Sequence, residues 1–140
     1  MNKTQLPPGQ TLTKTFPVTG EKQAVPSLTQ DHWSLTIHGE VNRAMTLSFA
    51  DLLALPQEIL ETDIHCVTSW SQLGMTFEGV RFSTLVERLV EPTAKVQFVR
   101  FLAYSPRDHD TSLSLEVALE DSWLIHSYNG QPLTPEHGFP

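Results

Sequence analysis

The sequence is poor in the residues that usually announce a metal or thiol site. It holds one cysteine, Cys66, so no disulfide can form within the chain and the fold does not depend on an oxidising compartment. No HExxH, CxxC or GxSxG occurs, which removes the short signatures of zinc proteases, paired-thiol sites and serine hydrolases. Positive charge is sparse. Lys+Arg 9 against Asp+Glu 16 gives a formal net charge of -7, and no basic run gathers the cations that a nucleic-acid backbone requires. No apolar stretch approaches a membrane span, and the opening MNKTQLPPGQ has neither the apolar core of a signal peptide nor a twin-arginine pair. Neither nucleic acid nor membrane is an expected partner, and the expected location is cytoplasmic.

What is present fits one soluble domain. A chain of 140 residues with 39% hydrophobic and 18% charged residues can bury about two-thirds of its unfolded surface around a single core. Residues 1–28 are rich in Thr, Pro, Gly and Gln and read as an extended arm; 29–140 read as the globular part. Trp33, Leu35 and Ile37 alternate with polar residues, and HGEVNR turns the chain toward AMTLSF, which predicts an antiparallel pair. Ser48 then precedes FADLLAL, a short helix stopped by Pro56. EILETDIHCVT is apolar and β-branched enough for a buried strand, leaving Cys66 at or just past its end.

Gly74 and Gly79 bracket MTFE and point to a tight crossover. Ser83 and Thr84 begin a helix, with Glu87 completing a capping box. Residues 96–104 read as a strand, SPRDHD as a polar loop, EVALED as a helical turn or two, and SWLIHSY as a strand ending at Asn129-Gly130. QPLTPEHGFP is a proline-rich tail without a closing element. With no internal repeat, the chain is a mixed, β-rich α+β domain.

The single thiol admits three readings. A lone cysteine near a strand end is commonly a small buried hydrophobe. A nucleophile needs a neighbour that lowers its pKa, and His65, adjacent on an extended chain, points to the opposite face. As a metal ligand, one thiolate cannot build an ordinary zinc site, but it suits a transition metal held mainly by something other than protein. His32 and His38 are badly spaced for a chelating pair, and His109 and His126 read as surface or satisfied core residues. His137, between Pro135 and Gly138, lies in a loop able to line a pocket.

ETDIHCVTSWSQLGMTFEGVRFSTLVE resembles the cofactor segment of sulfite oxidase-type, molybdopterin-dependent oxidoreductases, in particular their small bacterial members. LPPGQTLTKTFPVTG, VPSLTQDHWSLTIHGEV and TLSFADLLALPQE resemble that family's start, and YNGQPLTPEHGFP resembles its later pterin-binding loop, so nearly the whole chain is covered. The resemblance implies a sulfite oxidase-like fold and Mo-molybdopterin as cofactor, with Cys66 as the metal ligand and the pterin dithiolene supplying the remaining sulfurs. It gives His65, Thr68 and Ser69, around Cys66, structural or supporting roles, with Thr68 and Ser69 among the cofactor contacts, and packs Trp70 near the pocket. Lys14 and Thr15 of the arm, and Ser105, become pterin contacts, and His137 a donor to a pterin or phosphate oxygen. The activity implied is oxygen-atom transfer, or a related two-electron step, on a small-molecule substrate, with an electron-transfer partner.

Two departures bear on that reading. Ser69 stands where small bacterial members commonly carry arginine. The family pattern also runs past HGFP into an arginine and a lysine-bearing segment that grips the pterin phosphate, whereas this sequence ends at Pro140, which reads as a C-terminal truncation. The alternative is a cofactor-free remnant or an interaction module without catalytic activity.

Overall fold

A computed structural model describes residues 6–18 and 28–138. The expected arm's ends, residues 1–5 and 19–27, and the last two residues of HGFP lie outside them. Strand β1 (Thr11–Leu12) belongs to the arm. Strands β2 (Ser34–Ile37) and β3 (Met45–Ser48) form the expected antiparallel pair, with Leu35 opposite Leu47 and Ile37 opposite Met45. The period-two apolar residues therefore share one face, and that face packs on the core of Leu47, Phe49, Leu52, Leu55, Val80, Leu85 and Val90.

Ser48 ends β3 and caps α1 (Phe49–Leu53). Its hydroxyl accepts from the Asp51 N–H at 3.2 Å, while the Asp51 carboxylate accepts from the Ser48 N–H at 2.8 Å. Ser48→Ala is expected to lower the unfolding free energy by about 1 kcal/mol, measured as a lower urea midpoint. The Ser48 hydroxyl and N–H hold the Asp51 carboxyl below its ordinary range. A depressed pKa stabilises the fold above the unfolded value, and that contribution is lost as pH falls through the folded value. The wild-type advantage over Ser48→Ala should therefore shrink on the acid side.

The longest strand, β5 (Trp70–Arg81), is the axis of the main sheet. Strand β4 (Glu58–His65) runs antiparallel along one edge, β1 joins the start of β5 in parallel, and β8 (Trp123–Tyr128) pairs with its far end. Strands β4 and β5 depart from the sequence expectation in two ways. First, β4 is not fully buried: Ile59, Glu61, Asp63 and His65 alternate outward to solvent. Second, Gly74 and Gly79 do not bracket a crossover but lie inside β5. At Gly74 two residues of β5 oppose one of β4, a bulge in which the Gly74 N–H donates to Asp63 Oδ1 at 2.7 Å. The bulge shifts the alternation by one, so Trp70, Gln72, Met75 and Phe77 fall on one face.

Helix α2 (Phe82–Leu89) follows β5 directly. The expected cap at Ser83-Thr84 and its box with Glu87 do not form. Pairing of β5 with β8 reaches Arg81, and the Phe82 N–H donates to Ser122 O at 2.9 Å, so the helix starts earlier, with Arg81 in the cap position and no side-chain cap. Leu85, 1% exposed, is the residue α2 drives into the core. Strands β6 (Phe98–Leu102) and β7 (Asp110–Ser114) form a separate hairpin across SPRDHD. Ser114 then caps α3 (Leu115–Asp121).

The tail is also more ordered than a loop. Asn129 and Gly130, with φ of 46° and 77°, turn the chain into β9 (Gln131–Pro132), which pairs back on β8. A single 3-10 turn, Pro135–His137, follows and is closed by Gly138 at φ 97°. His126 is the satisfied core histidine expected. It is buried, with Nε2 against Gln57 Oε1 at 2.9 Å and Nδ1 against Ser127 Oγ at 2.8 Å. Among the described residues no helix is long and apolar enough to cross a membrane.

Candidate functional site

Cys66 stands at the mouth of the β4–β5 hairpin, as expected at a strand end. Its N–H donates to Trp70 O at 2.8 Å and its carbonyl accepts from the Ser69 N–H at 3.0 Å. This closes a three-residue loop, Val67-Thr68-Ser69, with Ser69 at φ 71°. Such loops end in a left-handed residue. Val67 at the tip is 97% exposed. Cys66 is half-buried and not in a disulfide, and the Thr68 hydroxyl donates to its Sγ at 3.2 Å.

The hairpin register sets the direction of each side chain. His65 lies opposite Ser71, and their side chains meet at 2.7 Å. Cys66 and Trp70, the next pair, therefore project together on the other face. His65 points away from the thiol, as an extended chain requires.

On the Trp70 face sits an aromatic cluster built around Phe16 of the arm. Phe16 stacks on His137, with centroids 4.2 Å apart and planes 12° apart. Its edges meet Tyr128 at 5.2 Å, Trp70 at 6.1 Å and Phe77 at 6.4 Å. The arm is held there by backbone bonds from Thr11 N–H to Ser69 O and from Thr13 N–H to Ser71 O, both 2.9 Å. His137 Nδ1 lies 3.1 Å from the Thr134 hydroxyl. The Glu136 carboxyl beside it is held below its ordinary range by its own N–H, and then by Thr134.

Three buried polar atoms have no hydrogen-bond partner among the described residues: Trp70 Nε1, Gln72 Oε1 and His137 Nε2. Buried donors and acceptors are normally satisfied, and these three share the Phe16 cluster or the β5 face it covers. Among the described residues no group of three or more His, Cys, Asp or Glu could hold a metal. A metal at Cys66 would therefore bring its other ligands with it. A donor, an acceptor and an imidazole on the face to which one thiol projects fit the polar edge of a pterin, so the residues present are compatible with the group that the resemblance implies.

The remaining predicted residues fall as follows. Thr68 and Ser69 belong to the cysteine loop. Lys14 and Thr15 are exposed, in the bend between the bonded Thr13 and Phe16. Ser105 lies in the β6–β7 turn, where its hydroxyl accepts from the His109 N–H at 3.2 Å, and it is not part of the bonded group around Cys66. Sequence reasoning missed Gln10, Phe16, Ser71 and Gln72. For Phe16 a signal existed: it is the one aromatic residue of the arm. A groove of about 260 Å³, lined by Phe82, Phe101, Leu113 and Trp123 among others, lies at the opposite end of the 12-residue β5, roughly 35–40 Å of strand away.

The fold is that of sulfite oxidase-type molybdenum enzymes. It matches a chain in the crystal structure of the sulfane dehydrogenase SoxCD from Paracoccus pantotrophus with a TM-score of 0.74 and 21% identity, over 83% of this chain and 34% of that one. The family model described as the oxidoreductase molybdopterin binding domain matches residues 22–140, and the chain belongs to that family, whose cofactor is Mo-molybdopterin. It is 38% identical over 139 residues to the uncharacterized oxidoreductase YuiH of Bacillus subtilis (strain 168), covering 97% of this chain and 68% of that protein. It is 32% identical over 85 residues to the protein-methionine-sulfoxide reductase catalytic subunit MsrP of Campylobacter jejuni, covering 58% of this chain and 28% of that protein.

Proposed function

We propose that residues 1–140 act as one domain in which Cys66 ligates the molybdenum of molybdopterin, and Trp70, Gln72 and His137 hold the pterin. The observation that carries this reading is the set of three buried polar atoms without a partner among the described residues, on the side of the hairpin to which Cys66 projects. The Thr68 hydroxyl, already on Sγ, would stabilise the thiolate, since a hydrogen bond to the charged form favours it. Lys14, exposed two residues before Phe16, would offer a cation to a phosphate, and Ser69 and Thr15 would offer contacts from the loop and the arm.

When bound, the cofactor supplies a metal that changes oxidation state by two electrons, so an oxygen atom can pass to or from a small substrate. An electron-transfer partner would balance those electrons, and the exposed Val67 tip offers an approach to the thiol. A sulfoxide is the first substrate class to assay, because one relative is named as a methionine-sulfoxide reductase. A cytoplasmic location goes with this reading and is tested by cell fractionation.

The test is metal and pterin analysis of the chain made in a host that synthesises the cofactor, with Phe16→Ala alongside. The wild-type chain should carry molybdenum close to stoichiometrically. Phe16→Ala removes the ring stacked on His137 and touching Trp70, contacts worth about 0.5–1.5 kcal/mol each, and should lower retention about tenfold. A folded, monodisperse, metal-free preparation would overturn the proposal in favour of a cofactor-free remnant.

A further inference from the structure

We infer that Gln10 is a positioning residue for Cys66, its side-chain amide locking the cysteine loop to the N-terminal arm. The inference concerns the site proposed above and rests on that reading only where the metal is concerned.

The amide of Gln10 is used at both ends. Nε2 donates to Cys66 O at 3.0 Å, and Oε1 accepts from Ser71 Oγ at 2.9 Å. Polarity leaves no other assignment. A carbonyl only accepts, so the amide nitrogen must face Cys66, and Oε1 must then face Ser71. Ser71 spends its one hydroxyl proton on Oε1. The contact between Ser71 Oγ and His65 Nδ1 at 2.7 Å must therefore be donated by the imidazole, which fixes Nδ1–H. Ser71 is 0% exposed, so its bonds to Gln10 and His65 cannot be replaced cheaply by water.

The position matters because the Cys66 carbonyl already accepts the Ser69 N–H that closes the loop. Gln10 adds a second donor to the same oxygen from outside the hairpin. Together with the Thr11 and Thr13 bonds to Ser69 O and Ser71 O, it holds the peptide plane of Cys66, and hence the direction of its Cα–Cβ bond, against a buried serine. The ligand residue is thereby oriented from a segment 56 residues earlier in the chain. Supporting bonds of this kind typically decide how well a ligand is presented to its metal.

Cys66 is the only thiol in the chain, so its labelling by a thiol reagent reports on this loop alone. In the cofactor-free full chain, Gln10→Met keeps the side-chain length and removes both bonds. It should label about five- to tenfold faster, with a similar loss of hydrogen-exchange protection at the Cys66 and Ser69 amides and none at Val80 or Leu85. Gln10→Glu keeps the length and the acceptor for Ser71 but turns an oxygen toward the Cys66 carbonyl, and should label at least as fast as Gln10→Met. Ser71→Ala, approaching from the other end, should give about a two- to threefold increase.

If Gln10 merely fills space, both same-length variants will label at the wild-type rate, and that overturns the proposal. Loss of protection spread evenly over the core amides also overturns it. In cofactor-loaded protein, Gln10→Met should shift the paramagnetic signal of the partly reduced metal, and an unshifted signal counts against a positioning role. A Cys66→Ser protein whose visible spectrum matches wild type would instead refute ligation by Cys66, while the labelling result would still judge Gln10.

Discussion

Gly79→Ala is expected to destabilise the chain by about 3 kcal/mol or more, with the thermal midpoint falling by roughly 10 °C or more. The reason is backbone, not conformational freedom. Gly79 lies where the pairing of β5 with β8 shifts register, between the Glu78–Ser127 and Gly79–Ile125 pairs. A Cβ there would stand 2.8 Å from the Leu124 carbonyl carbon and 2.9 Å from Ile125 Cα, and closer still to the Leu124 oxygen. None of these atoms belongs to a side chain that could rotate away. The strands would have to part just where Val80, 0% exposed, meets the core and Arg81 pairs with Trp123. Total stability of a domain this size is about 5–15 kcal/mol, so the loss is a large fraction of it.

Gly74→Ala is the control. Gly74 has φ of 63° but nothing within 4 Å of its Cβ position. Only the left-handed backbone is strained, at about 1–2 kcal/mol. Circular-dichroism melts of the two variants should rank Gly79→Ala well below Gly74→Ala. The reverse order would mean that β8 does not approach β5 as closely as described.

The same two glycines mark the limit of what a single sequence conveys. Elements whose causes are local were legible: the alternation of β2, the Ser48 cap of α1, the Asn129-Gly130 turn, and Cys66 just beyond a strand. Glycine 74 and glycine 79 read as punctuation because their real determinants, the Asp63 carboxylate and the Leu124 backbone, belong to partner strands that no local pattern reveals. The α2 cap failed likewise, since the Phe82 N–H is taken by Ser122 O rather than by a nearby hydroxyl. Around the site, the family resemblance singled out Cys66 and His137 as endpoints. Phe16, which links His137 to Trp70, and Gln10, which reaches Cys66 and Ser71 across 56 and 61 residues, come from an arm with no periodicity to read.

Cys66→Ser is expected to separate fold from chemistry. The loop is closed by the Cys66 N–H and carbonyl, bonded to Trp70 O, the Ser69 N–H and Gln10 Nε2, and none of these bonds uses the side chain. A hydroxyl in place of a half-buried thiol should leave the melting midpoint nearly unchanged. The consequence for the metal is of another order. A serine hydroxyl does not ionise near neutral pH and is a hard donor, whereas a thiolate is soft, polarisable and already assisted here by Thr68. Loaded Cys66→Ser protein should lose the long-wavelength thiolate-to-metal absorption, and whatever two-electron turnover the loaded wild-type chain shows should fall by at least about 100-fold, beyond the 10–100-fold typical of removing a supporting residue. His137→Ala, which keeps the thiol and removes the imidazole with its buried Nε2 and its stack on Phe16, should preserve that absorption while lowering cofactor content. If the two variants behaved alike, losing cofactor with the absorption per bound metal unchanged, Cys66 would be one more pocket residue and not the ligand.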